Sequence, residues 1–128
     1  MTKFSIAASP AAPKALGHYV QGVRSGNLII TSGQIPLVPE TGALVKEPAE
    51  AMRQVLSNLT AIVEDAGGSK DTIARVDIYV TDLKDFPAMN AAYAEFFGTH
   101  KPARFCAEVK GLPAGAVLEA SVMAFAAD

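Results

Sequence analysis

The chain has 128 residues, a formal net charge of −2 and a single cysteine, and half of its residues are hydrophobic. That is one domain's worth of sequence, large enough to bury about two-thirds of the surface its unfolded form exposes and to fold without metal or disulfide staples. One cysteine excludes an internal disulfide, no apolar run approaches the ~18 residues of a membrane span, and the scattered Lys and Arg form no basic cluster of the kind duplex nucleic acid requires.

Met1 to Leu16 alternates small, polar and Pro residues without the apolar centre of a secretory leader. With the lone cysteine, this sets a reducing, cytoplasmic environment as the expectation. Neither a repeat nor a low-complexity linker divides the chain, so residues 1–128 read as a single domain. A short strand is predicted at Lys3 to Ala7, and Ala8 to Ala15 is a lead-in loop. Tyr19 to Arg24 and Leu28 to Thr31 form a predicted hairpin around Ser25-Gly26-Asn27. Gly33 and Pro36 then interrupt the ladder.

The first helix is the clearest element. Met52, Val55, Leu56, Leu59, Ile62, Val63 and Ala66 recur at helical spacing, Pro48 suits the first turn, and Gly67 or Gly68 ends it. Ile73 to Thr81 alternates, with Ala74, Val76, Ile78 and Val80 on the apolar side. A second helix carries Phe86, Met89, Asn90, Tyr93, Phe96 and Phe97 on one stripe between Asp85 and Gly98. Strands over Ala103 to Val109 and Val117 to Phe125 complete the order β-β-β-α-β-α-β-β. The expected fold is an α+β two-layer sandwich, with both helices on one face of a mixed sheet.

Strand alternation then sorts the last two strands. It groups Phe105, Ala107 and Val109 with Leu118, Ala120, Val122 and Ala124 against the helices. Arg104, Cys106 and Glu119 are expected on the opposite face, with Tyr79, Met123 and Phe125. Such a face is too apolar for water, so a second copy of the chain is the expected cover and a homo-oligomer the expected state. From alternation alone, Arg104 and Glu119 read first as a structural ion pair, and Cys106 as a small hydrophobe. His18 and His100 make no metal constellation. Asn90, on an apolar stripe, either braces a loop or lines a site.

Five short segments occur in one order: Gly17-His18-Tyr19-Val20-Gln21, Ser32-Gly33-Gln34-Ile35-Pro36, Asn90-Ala91-Ala92-Tyr93, Pro102-Ala103-Arg104-Phe105-Cys106, and Leu112-Pro113 followed by Glu119. In these the chain resembles the YjgF/Rid family, most closely its RidA branch of enamine/imine deaminases. The resemblance implies a chorismate-mutase-like fold assembled as a homotrimer with clefts between subunits. It implies hydrolysis of 2-imino acids or their enamine tautomers (2-aminoacrylate, 2-iminopropanoate, 2-iminobutanoate) to 2-keto acids and ammonia, with no cofactor or metal. It also puts the functional positions at Tyr19, Ser32, Asn90, Arg104, Cys106 and Glu119. His18 stands where the family usually has Pro, Phe105 where a small residue is common and Ser121 where a second acid is frequent. The loop Gly98 to Lys101 is short.

On that reading, Arg104 grips the substrate carboxylate with a planar fork that Lys cannot supply. Glu119 activates water for attack on the imine carbon and returns a proton to the departing ammonia. Tyr19, Ser32, Asn90 and Cys106 line the site. The expected partners are a small imino or keto acid and copies of the chain itself, not a membrane or nucleic acid. Two other readings follow: a non-catalytic module that senses small carboxylates, and a ribonuclease, against which the acidic balance argues.

Overall fold

The computed structural model describes residues 3–127. Its elements, in chain order, are β1 (Ser5–Ala7), β2 (Gly22–Ser25), β3 (Leu28–Thr31), α1 (Pro48–Asp65), β4 (Ile73–Val80), α2 (Phe86–Phe97), β5 (Ala103–Glu108) and β6 (Leu118–Phe125). The strands form one sheet in the order β1-β2-β3-β6-β4-β5. β4 and β5 run parallel, and the other neighbours are antiparallel. Both helices cover one face, giving the two-layer α+β sandwich expected from the element order.

Local chemistry sets the helix ends. Pro48 occupies the first turn of α1, and the Glu47 carboxylate caps it by accepting from the amides of Ala49 and Glu50. The chain leaves the helix through Gly67, whose φ of +99° is open to glycine at little cost. Met52, Val55, Leu56, Leu59, Ile62 and Val63 are buried against Ile29, Ile73, Val76, Ile78, Leu118 and Val122. Full burial of each large apolar side chain is worth about 1.5–3 kcal/mol, and this layer holds the molecule together. Buried Asn58 ties α1 to the loop after β3 by donating from Nδ2 to the Leu37 carbonyl at 2.9 Å.

The structure corrects several local expectations. β2 starts at Gly22, leaving Tyr19 in the irregular segment before it. The β4–β6 register shifts between Ile73 and Arg75, so a bulge puts Ile73, not Ala74, in the core with Val76. Asp85 precedes α2 but makes no side-chain cap bond. Asn90 is exposed rather than buried.

The largest correction concerns β5. In the parallel β4–β5 ladder, Arg104 lies opposite Val76, Cys106 opposite Ile78 and Glu108 opposite Val80. Those three partners are fully buried against the helices. Paired residues on adjacent strands share a face, so Arg104 and Cys106 lie on the helix side. Glu119 pairs with Tyr79 and lies on the other side. Arg104 and Glu119 are therefore on opposite faces. Phe105 is on the open face, packed edge-on to Tyr79 with ring centroids 6.2 Å apart. β5 is an edge strand, which the helix layer covers only in part; there the helix side tolerates a charge and the open side carries a large aromatic.

The open face is apolar, as the alternation of β4 and β6 predicts. Ile6, Ile30, Tyr79, Phe105, Met123 and Phe125 are each more than a third exposed on it.

Candidate functional site: two half-sites on opposite faces

Helix α2 presents Phe86, Asn90 and Tyr93 at helical spacing toward the edge of the sheet. Arg104 reaches across them from β5. Its Nη1 donates to Asn90 Oδ1 at 2.6 Å. Its guanidinium carbon lies 4.8 Å from the Tyr93 ring centroid and 5.1 Å from that of Phe86. Two aromatic faces and one amide oxygen thus fix an exposed cation without neutralising it. Among the described residues, no carboxylate forms an ion pair with it. Beside it lies an open cavity of about 440 Å³, lined in part by Asn90, Tyr93, His100, Lys101 and Pro102.

Cys106 is half-buried, two residues further along the same side of β5. Burial pushes its thiol pKa up, with the nearby Arg104 charge opposing, so the thiol stays protonated at neutral pH. A protonated, partly buried thiol suits a wall rather than a nucleophile. Burial likewise raises the Tyr93 pKa against the pull of Arg104, and its buried hydroxyl has no hydrogen-bond partner. The Val109 amide donates to the Val80 carbonyl at 2.8 Å. Alternation along a parallel ladder then turns the amides of Arg104 and Cys106 outward, to the open edge.

Glu119 belongs to a different cavity, of about 400 Å³, whose lining includes Tyr19, Ser32, Gly33, Gln34 and Ile35. The chain after β3 stays beside β6: Gln34 donates to the Ala120 carbonyl at 2.8 Å and accepts from its amide at 3.1 Å. The Glu119 side chain lies across Gly33, where a Cβ would stand 2.8 Å from Oε2. Glycine there permits this close approach and is not needed for backbone conformation. Burial raises the Glu119 pKa from its ordinary carboxylate value. Ser32 is anchored by its hydroxyl, which donates to the Val20 carbonyl at 2.7 Å. Tyr19 accepts from the Leu16 amide at 3.2 Å, which holds its ring at the cavity mouth.

The six residues singled out from sequence thus fall into two groups. Arg104, Asn90 and Cys106 meet at the β5 edge, and Tyr19, Ser32 and Glu119 meet across β3 and β6. The Arg104 charge bears on Tyr93 and Cys106, whereas burial alone accounts for the Glu119 shift. Phe86, Tyr93 and Gly33 contribute to these sites beyond that set. The spacing of Phe86, Asn90 and Tyr93 was a visible signal for the first two; Gly33 stood in a motif with no contact to explain it. Among the described residues no group of three or more His, Cys, Asp or Glu could hold a metal ion, and no helix is long and apolar enough to cross a membrane.

An arginine held on an exposed sheet edge, a desolvated glutamate and a two-layer α+β frame are the features that the comparisons with known proteins must account for. The family model described as endoribonuclease L-PSP matches residues 9–126, and the chain belongs to that family, the YjgF/Rid group. It is 47% identical over 120 residues to a 2-iminobutanoate/2-iminopropanoate deaminase of Escherichia coli, covering 91% of this chain and 94% of that one. A RutC family protein of Pyrococcus abyssi is 44% identical over 115 residues, covering 89% and 91% of the two chains. Among solved structures, that of E. coli TdcF with bound serine superposes with a TM-score of 0.93 at 39% identity, covering 96% of this chain and 99% of that one.

Proposed function

We propose that this protein is a hydrolytic deaminase that converts 2-imino acids and their enamine tautomers, 2-aminoacrylate among them, to 2-keto acids and ammonia. We further propose that it works as a homotrimer in which the Arg104 half-site of one copy faces the Glu119 half-site of the next. The observation that carries this reading is the separation of the two halves. One holds Arg104 and the other holds Glu119, and among the described residues neither forms an ion pair. On opposite faces of one sheet, Arg104 and Glu119 of a single copy cannot act on the same imino acid. The apolar open face around Glu119 supplies the surface that a second copy would cover.

In the assembled cleft, Arg104 takes the substrate carboxylate through two parallel hydrogen bonds, with Asn90 and the rings of Phe86 and Tyr93 fixing its plane. The outward amides of Arg104 and Cys106 lie within reach of the same ligand. Glu119 removes a proton from water as its oxygen attacks the carbon of the protonated imine. The carbinolamine then collapses: its nitrogen gains a proton, the C–N bond breaks, ammonia leaves, and the hydroxyl proton is lost to give the keto acid. An enamine substrate is first protonated at carbon to reach the imine. A carboxyl whose pKa is raised by burial is a better proton carrier near neutrality than an unperturbed one. No cofactor or metal is invoked in these steps.

The test is intersubunit complementation. Arg104→Ala and Glu119→Gln are each expected to be nearly inactive on 2-aminoacrylate generated in situ by a serine dehydratase. Co-refolded together, they should recover roughly a quarter of wild-type activity, because random mixing restores that share of two-copy sites. Failure to recover activity in verified mixed oligomers would rule out the shared site. A second reading, a non-catalytic sensor of small carboxylates, draws on the bound serine of the TdcF structure. It requires Glu119→Gln to match wild type in imine decay.

A further inference from the structure

The cavity beside Arg104 carries more positive charge than one carboxylate needs. Resting on the deaminase reading, we propose that it is a dianion pocket. Its preferred substrates are 2-imino acids with a second carboxylate at the far end of the side chain, held by Lys101 while Arg104 holds the first. Lys101 and Arg104 line the same cavity, and no Asp or Glu lines it. Neither residue forms an ion pair among the described residues. In a chain with 13 acidic and 11 basic residues, two such cations in one cavity stand apart from the average surface.

The loop that carries Lys101 is fixed. Gly98, at φ +64°, turns the chain out of α2. The next anchor is His100, whose Nε2 lies 2.7 Å from the Ile73 carbonyl. A carbonyl only accepts, so that nitrogen carries the proton and donates. The His100 ring also packs edge-on to Phe97, with centroids 5.9 Å apart. These contacts hold Lys101 and Pro102 at the cavity wall. Phe97 and Tyr93 supply apolar surface for the methylenes that separate two carboxylates. The buried hydroxyl of Tyr93, without a partner, is a spare donor in the same wall. A monoacid leaves Lys101 without a counter-charge, and a diacid satisfies both cations.

Two measurements test this together. The first compares kcat/KM for 2-iminopropanoate and 2-iminoglutarate, each generated in situ by an amino-acid oxidase, in wild type and Lys101→Met. The second compares binding of 2-oxobutanoate and 2-oxoglutarate by calorimetry. Wild type should favour the diacid in both, and Lys101→Met should cut the diacid-to-monoacid ratio about tenfold, the scale of one well-placed charged contact. A ratio unchanged by Lys101→Met, with 2-iminopropanoate still hydrolysed, overturns the dianion pocket and leaves the deaminase standing. Lys101-dependent binding of 2-oxoglutarate without hydrolysis of either imine overturns the deaminase and leaves the pocket.

Discussion

The two half-sites are built by different means. Side chains place Arg104: it rests on two rings and one amide of α2, at the exposed rim of the sheet. Backbone places Glu119: it projects from β6, between β3 and β4, against a segment bridged to its own strand. A cation on a side-chain bed can be moved by changing one neighbour. A carboxyl set by backbone moves only when the space around it changes. Substitutions around Arg104 should therefore register in binding, and those around Glu119 in turnover.

Arg104→Ala should cause the largest loss, at least ~100-fold in kcat/KM, since two charged hydrogen bonds of about 1.5–3 kcal/mol each are removed. Arg104→Lys keeps the charge but not the fork and should still cost about 2–3 kcal/mol of transition-state binding in the same assay. Near-normal turnover by the lysine variant would break the clamp half of the comparison.

Glu119→Gln should lower kcat by roughly 100-fold while 2-oxobutanoate binding changes little, the mark of a proton handler rather than a ligand. Burial raises the Glu119 pKa, so wild-type kcat/KM should fall with pH at a higher pH than an unperturbed carboxylate would give. Glu119→Gln should abolish that limb. The stability sign is opposite. A carboxyl with a higher pKa folded than unfolded binds more protons in the folded state, so stability falls as pH rises from the unfolded value through the folded one. Glu119→Gln should flatten that slope in pH-dependent denaturation.

Gly33→Ala sharpens the contrast. Its Cβ would stand 2.8 Å from Glu119 Oε2, so the carboxyl end must shift, though it is the flexible end that yields. About a tenfold loss of kcat is expected with under ~1 kcal/mol of stability. Asn90→Ala should be mildest, a rise in KM of about 3–10-fold from one lost hydrogen bond to a charged group. A change in kcat alone would contradict a positioning role in binding.

The helices and the central strands were legible because their apolar patterns are long and both sides of the pattern are decided by burial. The stripe from Met52 to Val63 and the alternation of Val76, Ile78 and Val80 left little choice of face. In β5 the same rule chose the wrong face. The strand is six residues long and lies at the rim, so neither face is fully covered, and Phe105 and Arg104 both break the inside–outside correspondence. A guanidinium lying on aromatic rings is a stable placement that hydrophobic alternation cannot register. Asn90 posed a related problem: on a helical stripe it read as buried, yet it is exposed and valuable for its reach to Arg104. The motif residues stand out in the sequence, but their division between two faces needed the β4–β5 register.

The outer margin of β5 also bears on how this chain meets other chains. A strand margin with outward amides and carbonyls is a template onto which another chain can add. Charged residues along such a margin oppose that addition, and β5 carries Arg104 and Glu108 there. The residue proposed to grip substrate thus also lies where a charge disfavours strand addition.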